Sequence, residues 1–338
     1  MSSETIVELS DAPLFAIGNK ALRHPIIPLL EIDERSGLAA GLGTAFRIDP
    51  FGQYLTAQHV LEHRFAGGRG RGSVVGLLNP GFGPKGGTVA EDRLARIEQA
   101  STFRTKVEDP QLDKLMGWDS SRNVFDCLKL SFDAFSSGVH DVRSFLPMRL
   151  RGWPKVGDKV TAIGFPELKS FVDQKSQDVT LIREQMFGST GAITALYPTG
   201  REHRPWPTLE VDVHWPSGMS GGPVLNGNGE VIGLVSSSDE PESVDAKSYA
   251  FWFGPLRDFH RWIPHVDPDN PGWVRGWAVR RSEPWHVAAF LSDRVSAQRI
   301  ADARGKGYEV KFGSLKAGTD DFMSFEPNEF SAEEQKTH

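Results

Sequence analysis

Cysteine is all but absent. The chain's 338 residues include a single one, Cys127, so no intramolecular disulfide can form, and the stapling used by small secreted domains is excluded. That usage fits a reducing compartment, and the chain is read as cytoplasmic. Long apolar runs are missing as well. None approaches the ~20 residues of a membrane span, and the opening MSSETIVELSDAPLF lacks the basic start and apolar stretch of a secretory signal. A soluble protein with no membrane partner is expected. Basic excess is also lacking: 38 Lys and Arg stand against 44 Asp and Glu, a net charge of -6. Bulk attraction to nucleic acid or an anionic surface is thereby excluded, so no nucleic-acid partner is expected.

What is present describes an ordinary globular protein, with 39% hydrophobic and 24% charged residues and 35 glycines that favour turns. Short apolar segments of period two with β-branched content recur: PIIPLLEI, GTAFRI, YLTAQHV, SVVGLL, FDCLKLSF, KVTAIGF and GAITAL, then LEVDVHW, GPVLN, EVIGLVSS and SYAFWF. Regularly spaced strands without long helical patterns between them predict a sandwich or barrels. A helix is expected in PLRDFHRWI. The segment from Phe65 to Asp119 is glycine-rich and reads as long surface loops, with Arg64, Arg69 and Arg71 on a solvated tip. Beyond Asp267 a turn-rich linker leads into a β-α-β pattern: strand WHVAAFL, a helix capped by Ser292 and stopped by Gly305, and strand YEVKFGS. So small a unit must dock on the main body or recruit a regulatory partner. It is faintly similar to half of a peptidoglycan-binding SPOR-type repeat. The last residues read as a disordered tail.

Three blocks carry chemistry. In Gly218-Met219-Ser220-Gly221-Gly222-Pro223, glycines let the backbone fold tightly round a serine, and the N–H groups of Gly218 and Ser220 can converge on one oxyanion. A serine hydroxyl is a weak nucleophile without a base. His59 in TAQHV, just after a strand, is well placed to be that base. Asp126 puts one carboxylate into the largely apolar strand VFDCLKL, where an unpaired charge would be costly. An imidazole N–H is its natural partner, and the carboxylate would select the tautomer. Cys127, next along the strand, points away and reads as a small buried apolar residue.

TAQHV, FDCLKL and GMSGGP, in the order His, Asp, Ser, resemble the signature blocks of trypsin-like serine peptidases over residues 22 to 264. VGDKVTAIGFP, GAIT, Asp212 and GNGEVIGL are closest in pattern to the bacterial high-temperature-requirement branch, without a PDZ domain pattern in the C-terminal residues. The resemblance implies an all-β fold of two packed six-stranded antiparallel barrels with a small C-terminal β-α-β appendage. It further implies a serine endopeptidase acting on protein or peptide substrates through His59, Asp126 and Ser220, with Gly218 and Ser220 N–H as oxyanion hole and no metal or cofactor. By alignment from Ser220, His214 lies at the base of the side-chain pocket, with Leu234, Val235, Ser236 and Ser237 in its wall. Met219 stands where secreted members carry the aspartate that pairs with a freshly cut N-terminus, so that activation route is closed. The expected organisation is an N-terminal extension (1–21), barrel one (about 22–140), barrel two (about 145–264), the C-terminal unit (265–325) and the tail (326–338).

Three rival readings differ in class. Gly218-x-Ser220-x-Gly222 also fits the nucleophile elbow of α/β-hydrolases, with Asp245 and His260 as later partners, but an elbow leads into a helix. His59-Val60-Leu61-Glu62-His63 spells an inverted zinc-peptidase motif that leaves GMSGGP unexplained. A catalytically silent barrel could serve as a binding scaffold, with Asp119 or Asp133 mistaken neighbours of Asp126.

Overall fold

The computed structural model describes residues 14–33, 39–62, 72–78, 87–88, 94–104, 124–133, 144–166, 169–172, 180–183, 185–201, 204–239, 246–256 and 259–325. The tip bearing Arg64, Arg69 and Arg71, and the tail from residue 326, lie outside the described residues. After β1 (Leu14–Ala16) come β2 (Ile26–Asp33), β3 (Ala39–Arg47), β4 (Gln53–Thr56), β5 (Gly72–Leu77), the short β6 (Gly87–Thr88), β7 (Leu94–Arg104) and β8 (Val124–Phe132). Six of these close an antiparallel barrel in the order β2-β3-β4-β8-β7-β5. Next, β9 (Lys159–Gly164) is followed by the hairpin β10 (Lys169–Val172) and β11 (Thr180–Arg183), which adds β6 as a third strand. Then follow β12 (Phe187–Tyr197), β13 (Thr208–Val211), β14 (Pro223–Leu225), β15 (Val231–Ser238) and β16 (Ser248–Trp252). With β9 they close a second six-stranded barrel, β9-β12-β13-β16-β15-β14, which repeats the strand order of the first. The stretch ahead of barrel one supplies β1, which pairs with β12 of barrel two.

The barrels are held together by strands with two buried faces. Along β15, Val231 and Leu234 join the core of barrel one, whereas Ile232 and Val235 fill the interior of barrel two. Phe251 and Phe253 alternate with Ala250 and Trp252 in the same way. Strands buried on both sides read as continuous apolar runs, as EVIGLV and SYAFWF do. Each such side chain contributes about 1.5–3 kcal/mol relative to exposure, so cutting Phe251 back to alanine would cost about 3–5 kcal/mol.

Four local expectations need correction. The region read as loops contains β7, eleven residues long, with Ala95 and Phe103 buried. Its period is broken by register shifts between Ile97 and Gln99 and between Thr102 and Arg104, which hides the alternation. The helix expected in PLRDFHRWI is a 3-10 turn, Phe259–Arg261, that buries Phe259. The C-terminal unit is more than β-α-β. It has β17 (Trp273–Arg281), β18 (His286–Leu291), helix α1 (Arg294–Arg304), β19 (Glu309–Lys316) and β20 (Phe322–Ser324), in sheet order β18-β17-β19-β20. The helix cap is Asp293, not Ser292: its carboxylate accepts from the Ser296 N–H at 2.8 Å. Gly305 ends α1 as expected, at φ 87°. This unit meets the barrel through Phe51, whose ring stacks on Phe290 at 5.7 Å and meets His265 edge-on at 4.7 Å.

Candidate active site

Strand register places the first two candidate residues. Strands β4 and β8 run antiparallel with Thr56 opposite Leu128, so the chain leaving β4 passes Asp126. There it forms a 3-10 turn, Gln58–Leu61, anchored by buried Val60 and Leu61, while the His59 side chain stays 40% exposed. Asp126 is 5% exposed. Its Oδ1 accepts the His59 backbone N–H at 3.1 Å, and His59 Nδ1 stands 3.0 Å from both carboxylate oxygens. An ionised carboxylate only accepts, so Nδ1 carries the proton and Nε2 is left as a base. A third donor comes from barrel two, where the hydroxyl of buried Ser236 donates to Asp126 Oδ2.

The electrostatics follow from this cage. Burial alone would push the His59 pKa down, but the Asp126 hydrogen bond and charge, with help from Glu62, outweigh it and leave the imidazole above its ordinary value. Burial and the Asp126 charge both push the Cys127 thiol up, so this fully buried side chain is a core residue, away from any thiolate chemistry.

The serine loop is wedged between the barrels. Gly218 and Gly221 hold φ of 90° and 81°, a region that favours glycine. A Cβ on Gly221 would sit 2.2 Å from Thr56 Oγ1 and 2.8 Å from the Ala57 nitrogen. One on Gly43 would fall 2.8 Å from the Ser220 carbonyl oxygen and 2.9 Å from Val60 Cγ2. Gly43 is thus packed between the Ser220 carbonyl and the turn that carries His59, and Gly221 lies against the start of that turn. Thr44, fully buried, clamps the loop. Its N–H donates to Ser220 O at 2.8 Å, its hydroxyl donates to Gly218 O at 2.8 Å, and that hydroxyl accepts the Phe165 N–H at 3.1 Å. From the other side Gly221 N–H donates to Val235 O at 2.8 Å. Among the described residues, the N–H groups of Gly218 and Ser220 have no hydrogen-bond partner. Two such donors flanking one serine are what an oxyanion requires.

The residues read as pocket wall divide. Leu234 and Val235 lie in the cores, Ser236 is bound to Asp126, and Ser237 accepts hydrogen bonds from Arg204. His214 is half-buried, with its Nδ1 enclosed and unpartnered among the described residues. Asp212 accepts the Ala192 N–H. Asp133 caps the Arg96 N–H at 3.0 Å, and Asp119, Asp245 and His63 lie outside the described residues. The block after Ser220 is strand, turn, strand, which removes the α/β-hydrolase elbow. Sequence reasoning missed Gly43 and Thr44 as positioning residues and the Ser236 hydroxyl as a partner of Asp126. The signal for the first two was a glycine-threonine pair inside the apolar strand GLGTAFRI.

The sequence profile of the trypsin-like peptidase domain matches residues 43–234. No curated protein matches the chain. Among solved structures, the Rv3671c protease from M. tuberculosis in its active form is 16% identical, with 73% of this chain and 84% of that chain covered and a TM-score of 0.41. A serine-to-alanine mutant of that protein in an inactive form is also 16% identical, with 73% and 90% covered and a TM-score of 0.40.

Proposed function

This chain belongs to the trypsin-like peptidase domain family, and from that membership we propose that it is a serine endopeptidase cutting peptide bonds in protein substrates. Ser220 is the nucleophile, His59 the general base and Asp126 the residue that orients and charges that base. The observation that carries the reading is the Asp126 carboxylate, which holds His59 by backbone and ring beside a serine loop tied down by Thr44. With Nδ1 bound, Nε2 takes the Ser220 proton as the oxygen attacks the scissile carbonyl carbon. The oxyanion that forms accepts from the Gly218 and Ser220 N–H groups. His59 then returns the proton to the leaving amine as the C–N bond breaks, which leaves an acyl-enzyme. Water, deprotonated by the same imidazole, adds to the ester carbonyl, and Ser220 leaves with the proton. Protons and electrons balance without a metal or cofactor.

The blocks VGDKVTAIGFP, GAIT and GNGEVIGL favour the high-temperature-requirement branch, and the lone cysteine favours a cytoplasmic site of action. No helix among the described residues is long and apolar enough to cross a membrane. Labelling by a fluorophosphonate probe tests the reading. We expect labelling that survives a chelator and is lost in Ser220→Ala and His59→Ala. A folded protein inert to the probe and to a proteome-wide substrate screen would replace the enzyme with a scaffold.

A further inference from the structure

Among the described residues, strand β15 leaves an edge open next to the serine loop. On that flank β14 pairs no further than Pro223 with Leu234, and Gly221 and Gly222 take up Val235. On the other flank β16 continues through Ser237 opposite Tyr249 and Ser238 opposite Ser248. Among the described residues Ser237 and Ser238 are therefore paired on one side only, with Ser236 the bulge between Val235 and Ser237, and an extended peptide can add to such an edge as a further strand. Neighbouring side chains along this edge reach different partners. Ser236 reaches Asp126 in barrel one, whereas Ser237 reaches Arg204 in the connection between β12 and β13.

Arg204 is a fixed cation. Its Nε and Nη2 donate to Ser237 Oγ at 3.1 and 2.8 Å, and its guanidinium lies 4.2 Å from the Tyr249 ring centroid. Its backbone exchanges two hydrogen bonds with Arg201, of 2.8 and 2.7 Å. The carboxylates nearby are engaged elsewhere. Glu210 holds Lys247 at 2.6 Å and Arg201 at 2.8 Å, and Asp239 accepts from the Tyr249 hydroxyl at 3.3 Å. Among the described residues no carboxylate pairs with Arg204, and its tether is a neutral hydroxyl. An arginine held in place by stacking keeps a planar set of donors suited to a carboxylate.

We infer that Arg204 determines specificity, forming a subsite for an Asp or Glu side chain in a substrate laid along Ser236–Ser238, upstream of the bond cut at Ser220. The inference rests on the proteolytic reading above. The pleat sends alternate substrate side chains to each face, so one position within about four residues of the cut faces Arg204.

The test is cleavage-site profiling of a proteome-derived peptide library with the full chain, Arg204→Gln, Arg204→Glu and a Ser220→Ala blank, with thermal unfolding run on each. Arg204→Gln keeps length and hydrogen bonding while removing charge. The wild-type sites should be enriched in Asp and Glu at one upstream position. The acidic-over-neutral ratio of kcat/KM should fall about fivefold in Arg204→Gln, and Arg204→Glu should favour Lys or Arg there. Ser220-dependent cleavage with no acidic preference, or with a profile unchanged in both folded variants, overturns the inference and leaves the protease reading standing. No Ser220-dependent cleavage of any peptide removes both.

Discussion

The backbone N–H of Thr44 donates to the carbonyl oxygen of Ser220 across 2.8 Å, joining a strand of the first barrel to the loop of the second. The Thr44 side chain reinforces this with a donated bond to Gly218 O and an accepted one from Phe165 N–H. Replacing Thr44 by the isosteric valine keeps the backbone bond but leaves the part-buried Gly218 carbonyl and the buried Phe165 N–H without this partner, a cost of about 2–3 kcal/mol. Denaturant unfolding should show that loss. Fluorophosphonate labelling of Ser220 should also slow, because the loop presenting the Gly218 and Ser220 donors is no longer held.

Ser236→Ala tests the cage around Asp126. The carboxylate would keep both His59 donors and lose the hydroxyl on Oδ2. A charge-assisted hydrogen bond of this kind contributes about 1.5–3 kcal/mol, so kcat should fall about tenfold or more. Steady-state kinetics on a peptide substrate should show the drop chiefly in kcat, since Ser236 holds the orienting carboxylate.

Acid should silence the enzyme earlier than an unperturbed imidazole would. Burial lowers the His59 pKa, but the bond and charge of Asp126, with Glu62, raise it above 6.5 overall. On the proposed mechanism His59 acts when neutral, so the acid limb of kcat/KM against pH should have its midpoint above 6.5. In Asp126→Asn that limb should move down, with kcat about 10⁴-fold lower. The sign for stability is the reverse: a raised histidine pKa stabilises the fold below the unfolded pKa, and the gain disappears as pH rises through the folded one.

Asp49 offers a test remote from the serine. Its carboxyl is fully buried, Oδ1 accepts from Phe51 and Gln53 N–H, and Oδ2 has no partner among the described residues. Burial raises its pKa to about 6, against the lowering pull of the Gln53 and Phe51 N–H groups and the charges of Arg47 and Lys129. The folded state therefore keeps a proton that the unfolded chain releases between about pH 4 and about pH 6, and stability falls with rising pH across that window. Asp49→Asn cannot ionise. Relative to wild type it should gain up to about 3 kcal/mol above pH 6 and little near pH 4, read by urea unfolding at both ends.

Strands and the three chemical blocks were legible because their signals are local: two-residue alternation, glycines round Ser220, and a carboxylate in an apolar strand. What stayed hidden depends on distant pairing. Bulges in β7 broke its alternation, and β17 carries arginines at Arg275, Arg280 and Arg281 whose partners, such as Glu309 for Arg280, come from elsewhere in the chain. Thr44 reads as an ordinary strand threonine until Gly218 and Phe165 fold onto it. Ser236 sits among three consecutive serines, and only the other barrel decides which of them meets Asp126.

Leu14 pairs with Ser189, and the ring of Phe15 covers Gly188 so closely that a Cβ there would lie 2.5 Å from it. β1, which precedes barrel one in the chain, thus waits for a strand of barrel two. On the ribosome barrel one can close while this leading strap hangs loose, and the strap can seat only after β12 has emerged. Its docking becomes a late fastening step, and a nascent chain stalled before β12 would carry β1 without its partner.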